Sequence, residues 1–191
     1  MIVLTAKALP DIRLTVDEYL EADLPEGNRY ELVNGVVEMP PAPEVEHEEP
    51  RCTLTHALHE YQRSHPAAFA TILPQATVVI PGKDSAREPD ISVYRHKGRK
   101  GRGRKAWKEM MPLLVVEVVS PDQAQRDYQD KKEDYWLAGI AEYWIVDPQE
   151  EAVTVLTRGK RTWRKSLFHT GQEARSTILP GFAVPVARLF A

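Results

Sequence analysis

Apolar positions along this chain change period from segment to segment, and each change marks an expected element. In "TVDEYLEA", Thr15 and Glu18 are spaced as a capping box, which predicts a short helix to about Ala22. "RYELVNGVVEM" is strand-like on both sides of Asn34-Gly35, a pair that accepts the positive φ values of a type I′ turn and so predicts a hairpin. The Pro-rich "MPPAPEVE" is expected to be a loop. From about His47 to His65, Leu54, Ala57, Leu58 and Tyr61 return at helical spacing, with Pro50 tolerable only in the first turn. "TILPQATVVIP" and "PDISVY" are expected strands, with "GKDSARE" a turn-rich loop between them. "LLVVEVVSP" is apolar enough for a strand buried on both faces.

"SPDQ" then opens a helix, with Ser120 as cap, Pro121 at the first position and Gln123 at the third, and Gly139 ends it. "AEYWIVD", "AVTVLT" and "RTWRKSLF" follow as strands, the last two a hairpin across "RGK". No internal repeat or dividing linker is visible, so a single domain over residues 1–191 is expected. The order of elements predicts an α/β or α+β sheet domain with few helices.

One position breaks the pattern. Glu117 puts a carboxylate inside the run from Leu113 to Val119, where an unpaired charge costs several kcal/mol. Asp90 is its best companion, because it follows Pro89 at the mouth of another strand while Ile91 and Val93 enter the core. Two carboxylates converging from neighbouring strands repel unless a cation lies between them, and oxygen donors of this kind suit Mg²⁺, with Mn²⁺ as substitute. On the helix that follows, Ala124, Tyr128, Lys131, Tyr135 and Ala138 share one side, with Asp127 at its edge. Lys131 is therefore expected to face the sheet and Lys132 to lie on a flank.

Composition adds mainly exclusions. Its charged and apolar fractions are those of an ordinary globular chain, and a net charge of −3 names no partner. Cys52 stands alone, which excludes an internal disulfide and a cysteine-rich zinc site. The first residues lack the basic start and apolar core of a secretory signal, and no apolar run nears the roughly 20 residues of a membrane span. A cytoplasmic protein without membrane contact is expected. There is no HExxH, and His56 and His59, though on one helix face, are expected to point to solvent. No Gly-rich phosphate loop, serine triad or dinucleotide fingerprint is present, so no organic cofactor is expected.

The chain's positive charge clusters instead in "RHKGRKGRGRKAWK", which lacks any helical or strand period and is expected to be an exposed loop. Arg95, Lys97, Arg99, Lys100, Arg102, Arg104 and Lys105 are its candidate contacts to DNA phosphates, against the alternative of a solvated loop.

Taken together, "EPDISVY", "LLVVEVVSPDQAQRDYQDKKEDYWLAGIAEYWIVDP" and "RYELVNGVVEM" resemble the Uma-type putative restriction endonuclease family, within the PD-(D/E)XK nuclease superfamily. The resemblance covers roughly residues 14 to 190. It implies a restriction-endonuclease-like fold, a mixed central sheet flanked by helices, and a Mg²⁺-dependent phosphodiesterase site. Carried across, Asp90 and Glu117 are the two motif acids, with the Val118 carbonyl as a further metal ligand. The motif's own lysine position is Val119 here, and the resemblance places the lysine on the next helix, at Lys131. Glu31 and His47 match a recurrent acid and a recurrent histidine and are implied accessories. The resemblance also implies a homodimer.

The expected function is a metal-dependent DNA endonuclease. Two alternatives stand beside it: a catalytically inactive nucleic-acid-binding module on a nuclease fold, and a metal-dependent hydrolase of a small phosphoester. For Glu117 the structural alternative is an ion pair with Lys131 or an arginine; for Glu31, a pair across the hairpin with a basic neighbour.

Overall fold

A computed structural model describes residues 12–95, 103–121 and 124–191. The capping box forms: Thr15 Oγ1 accepts from the Glu18 N–H and Glu18 returns to the Thr15 N–H, opening α1 (Val16–Glu21). β1 (Glu31–Val33) and β2 (Val36–Glu38) pair antiparallel, with Asn34 and Gly35 at φ 49° and 85°. Those are the values a type I′ turn demands.

α2 spans Val45–Ser64, so it starts before His47 and Pro50 falls in its second turn rather than its first. Val45 and Glu46 are exposed and carry no apolar period, so the pattern did not show that extra half turn. "TILPQATVVIP" divides into β3 (Thr71–Pro74) and β4 (Val78–Val79), because Gln75 takes φ 48° and turns the chain. "GKDSARE", expected as loop, holds β5 (Ala86–Arg87), too short for alternation to register.

β6 (Ile91–Tyr94) follows. Lys97, Arg99, Lys100 and Arg102 lie outside the described residues. The second half of the basic segment is not the featureless loop expected, since Arg104–Glu109 winds into a 3-10 helix. β7 (Leu114–Val118) carries Glu117. Gln123 lies outside the described residues; from Ala124 the chain is helical, wound as a π-helix over Arg126–Asp130 and continuing as α3 (Lys131–Leu137). Gly139, at φ 80°, ends it.

The remaining elements are β8 (Glu142–Asp147), β9 (Ala152–Arg158), β10 (Trp163–His169), β11 (Glu173–Arg175), β12 (Ala183–Pro185) and α4 (Val186–Leu189). Six strands form the central sheet in the order β10-β9-β8-β7-β6-β3, mixed because β7 and β8 run parallel while the other pairs are antiparallel. The helix joining β7 to β8 supplies the crossover a parallel pair requires. A second sheet, β2-β1-β5-β4, and the β11-β12 pair complete the architecture.

Alternation along β7 sends its side chains to opposite faces. Leu114, Val116 and Val118 meet Leu54, Leu58 and Tyr61 of α2, and this core also takes in Val186 and Leu189 of α4. Val115 and Val119 join a second core with Tyr135 and Ala138 of the crossover helix and with Val78 and Ile80. Glu117 shares the parity of Val115 and Val119, so it points to the α3 side. Among the described residues no helix is long and apolar enough to cross a membrane.

Candidate active site

β6 and β7 pair with Ile91 opposite Val116, which sets Asp90 beside Glu117 at one end of the sheet. Asp90 is held from three directions. Its Oδ2 accepts the Val118 N–H at 2.8 Å and lies 3.1 Å from His47 Nε2, while Oδ1 lies 3.2 Å from Arg29 Nη1. Burial works to raise its pKa, but His47, Lys131 and Arg29 hold it down at about 2.

Glu117 has the opposite balance. Its Oε2 is 2.9 Å from Lys131 Nζ and its Oε1 accepts a short bond from the Tyr135 hydroxyl. Burial, aided by the charges of Asp90, Asp127 and Glu31, outweighs Lys131 and pushes it up to about 8. Lys131 faces the sheet, as the helical spacing predicts, and lies 3.0 Å from Asp127 Oδ1 as well. Burial would lower the lysine's pKa, yet Glu117, Asp127, Glu31 and Asp90 raise it, so the ammonium stays charged.

Glu31 sits behind this group. Its cross-strand partner is Glu38, not a basic residue, so the simple hairpin ion pair is corrected. Its cations arrive from elsewhere: Arg87 Nη1 at 3.2 Å from β5 and Arg126 from the π-wound segment, with the Glu88 N–H at 3.0 Å. Burial opposes them, but Lys131, Arg126 and Arg87 hold Glu31 at about 2.

Asp90, Glu117, Asp127, Lys131, His47 and Arg29 line a narrow cavity of about 40 Å³, with Val118, Glu31 and Arg126 also on its wall. Pro40, Pro41 and Pro43 form another side, so the Pro-rich loop serves as a stiff rim.

Among the described residues no three His, Cys, Asp or Glu side chains form a ready-made metal cage. That suits Mg²⁺, which takes one or two carboxylates and completes its shell with water and substrate oxygens. The donor chemistry fits: two hard carboxylates from adjacent strands border one cavity, and one of them, Glu117, is held neutral up to about 8 when no further cation is beside it. A divalent ion would take the place of that proton.

The other candidates fall further away. Arg104 stacks over the Tyr19 ring at 5.0 Å and donates to the Ala22 carbonyl, Lys105 pairs with Glu21, and Lys108 pairs with Asp17 at 2.6 Å. The end of the basic segment is thus docked on α1, while Arg95 is exposed. His56 and His59 are exposed, as expected, and Cys52 is a free thiol on the surface.

Asp127, Arg29, Arg126 and Tyr135 belong to the site, yet sequence reasoning gave none of them a role in it. Asp127 could have been found, because it lies four residues before Lys131. Arg29 and Arg126 had no local signal, since their partners are far along the chain.

Comparison with known proteins bears on this arrangement. No curated protein matches the chain. A crystal structure described as a putative nuclease belonging to DUF820, from Anabaena variabilis, superposes with a TM-score of 0.73. It covers 93% of this chain and 97% of that one at 21% identity, which is evidence of fold. The model of the family Uma2, described as "Putative restriction endonuclease", matches residues 16–187. The chain has the restriction-endonuclease-like PD-(D/E)XK fold, and it belongs to the Uma2 family.

Proposed function

We propose that the protein is a divalent-metal-dependent endonuclease that hydrolyses phosphodiester bonds of DNA. The observation that carries the reading is the convergence of Asp90, Glu117 and Lys131 on one cavity at the β6–β7 end of the sheet. A purely structural ion pair needs no opening and no surplus of acid, whereas this group has both.

Asp90 and Glu117, with the Val118 carbonyl, are the residues that would hold Mg²⁺. Bound there, the ion would supply Lewis-acid charge to the phosphate and help ionise a water. The chain's own residues do the rest. His47, Arg29 and the Val118 N–H fix both Asp90 oxygens and keep the carboxylate ionised. Tyr135 and Lys131 fix the two Glu117 oxygens in place. Lys131, anchored by Asp127, keeps a fixed ammonium at the cavity wall, where it can meet charge growing on phosphate oxygens in the transition state. The proline rim limits entry and keeps bulk water from the reacting group.

The test is cleavage of supercoiled plasmid and of single-stranded, duplex and branched oligonucleotides across a Mn²⁺ or Mg²⁺ titration. Cleavage that requires the metal and disappears in Asp90→Ala supports the reading. Binding without cleavage at every metal concentration would indicate the inactive module. Turnover of a small phosphodiester alone would indicate the third class.

A further inference from the structure

The geometry points to a second nucleic-acid contact, a pocket between α3 and the β9–β10 hairpin that takes an unstacked base of the strand being cut. The inference rests on the nuclease reading and adds to it a substrate class: DNA with a single-stranded segment beside the cleavage point.

Register places the pocket. On β10, Trp163 lies opposite Arg158 and Lys165 opposite Leu156. Leu156 and Trp163 belong to the core on the α3 side, so Lys165 and Arg158 share that face with them, the same face that carries Glu117. Trp163 Nε1 donates to the Lys132 carbonyl at 3.1 Å. The pocket therefore begins one residue along the helix from Lys131.

Its walls are aromatic and its rim is cationic. Tyr128, Trp136 and Trp163 line a cavity of about 410 Å³ together with Lys132 and Arg161, within the range of sites that hold small molecules. Trp136 and Trp163 meet edge to face with centroids 5.3 Å apart, and Arg158 covers Trp136 at 4.1 Å and donates to its carbonyl. These contacts hold the rings in place while both remain partly accessible.

The hairpin is tightly closed, with the Gly159 N–H bonded to the Thr162 carbonyl at 3.0 Å and a Cβ at Gly159 excluded by that oxygen at 2.5 Å. Arg161 and Lys165 are exposed, and neither has an ion-pair partner among the described residues. Glu133, an acid on the wall, is bound by Lys83 at 3.3 Å. Cations without partners around ring faces are what a single strand requires: phosphates meet the cations and a base stacks on a ring.

The spacing also suits one strand. Three strand separations of about 4.8 Å and four residues of about 3.4 Å put Trp163 roughly 20 Å from Glu117 along the sheet. That is about six nucleotides of a strand at 3.4 Å each. A paired base inside a duplex cannot enter such a pocket without leaving its stack.

The experiment measures binding of a fluorescein-labelled oligothymidylate and of a blunt duplex of equal length, in EDTA so that nothing is cut. Arg161→Ser/Lys165→Ser should weaken oligothymidylate binding about tenfold and flatten its log K against log salt slope by about 1.4, two single-strand phosphate contacts. Trp163→Leu should weaken it about tenfold with the slope unchanged, since stacking releases no counterions, and should leave duplex binding alone. Circular dichroism confirms the fold of each variant, and the exposed Arg161/Lys165 pair keeps the test valid should Trp163→Leu lose stability. Oligothymidylate binding unaltered in both variants overturns this inference alone. Wild-type protein that binds neither nucleic acid in EDTA overturns this inference as well, while the nuclease reading stands or falls on the metal-dependent cleavage assay.

Discussion

Two buried charge networks lie back to back in this protein, built from the same residue types with opposite results. In the first, Arg87 is closed in between Glu31 and Asp134, with its Nη1 3.2 Å from Glu31 and its Nη2 2.7 Å from Asp134. Lys83 adds a second cation to Asp134 at 3.0 Å, and Arg126 a second to Glu31. In the second network Glu117 and Asp127 share Lys131. The guanidinium's fixed fork can serve two carboxylates at once, which the point charge of a lysine does less completely. Glu31, reached by Lys131 as well as by Arg126 and Arg87, is held at about 2, while burial pushes Glu117 up to about 8 and Asp127 upward as well. One network is balanced and supports the fold; the other keeps an unmet demand for positive charge and opens onto a cavity.

The comparison is broken most directly by deleting each cation. Arg87→Met takes a cation from two buried carboxylates at once, Glu31 and Asp134, and should cost about 3–5 kcal/mol in urea unfolding. Lys131→Met should cost clearly less, because Glu117 and Asp127 are already raised and can take up protons. Equal losses in the two variants would erase the distinction between structural and functional networks.

Cleavage should reverse that ranking. Lys131→Met should retain the fold and substrate binding while its cleavage rate drops by on the order of 10² or more, since the ammonium acts chiefly in the transition state. Full activity in Lys131→Met would remove the lysine from the mechanism.

Metal sharpens the comparison next. Mn²⁺ at about 100 times its Kd should stabilise the wild type by about 2.7 kcal/mol, a rise of roughly 5–10 °C for a chain of this length. Asp90→Ala and Glu117→Ala should lose that response. Both variants melting with the wild-type increment would show that no ion is shared between these carboxylates.

The smallest effect is on the pH profile. Between the ordinary glutamate value of 4.5 and about 8, folded Glu117 holds a proton that the unfolded chain has released. In EDTA its contribution to stability therefore falls as pH rises through that window. Asp90 and Glu31, at about 2, act in the other direction: their contribution is complete above the ordinary carboxylate range and is lost as pH falls toward 2. Glu117→Gln should shallow the decline in Tm from pH 5 to 8, measured by calorimetry without metal. A decline as steep as the wild type's would mean that Glu117 is ionised throughout.

Legibility followed the range of the interactions. The capping box at Thr15, the Asn34-Gly35 turn, the buried run around Glu117 and the stop at Gly139 are written in a few adjacent residues, and the structure reproduces them. Lys131 was readable because helical spacing sends it to the sheet face. The two-residue strand β5 and the 3-10 helix from Arg104 were not, since both are too short to impose a period on their side chains. Nor was the π-wound stretch Arg126–Asp130, whose wider turn an ideal wheel does not include.

What the sequence determined by itself, then, is where strands and helices form and which acids and lysine must be buried, because propensity, capping and period act within a few residues. The tertiary structure alone decided their partners. Arg87 meets Glu31 and Asp134, His47 of α2 meets Asp90, and Trp163 of the last long hairpin meets Lys132, each pair brought together by sheet order across a long stretch of chain. The charge state of a buried carboxylate depends on how many cations reach it, and that number exists only once distant segments have packed.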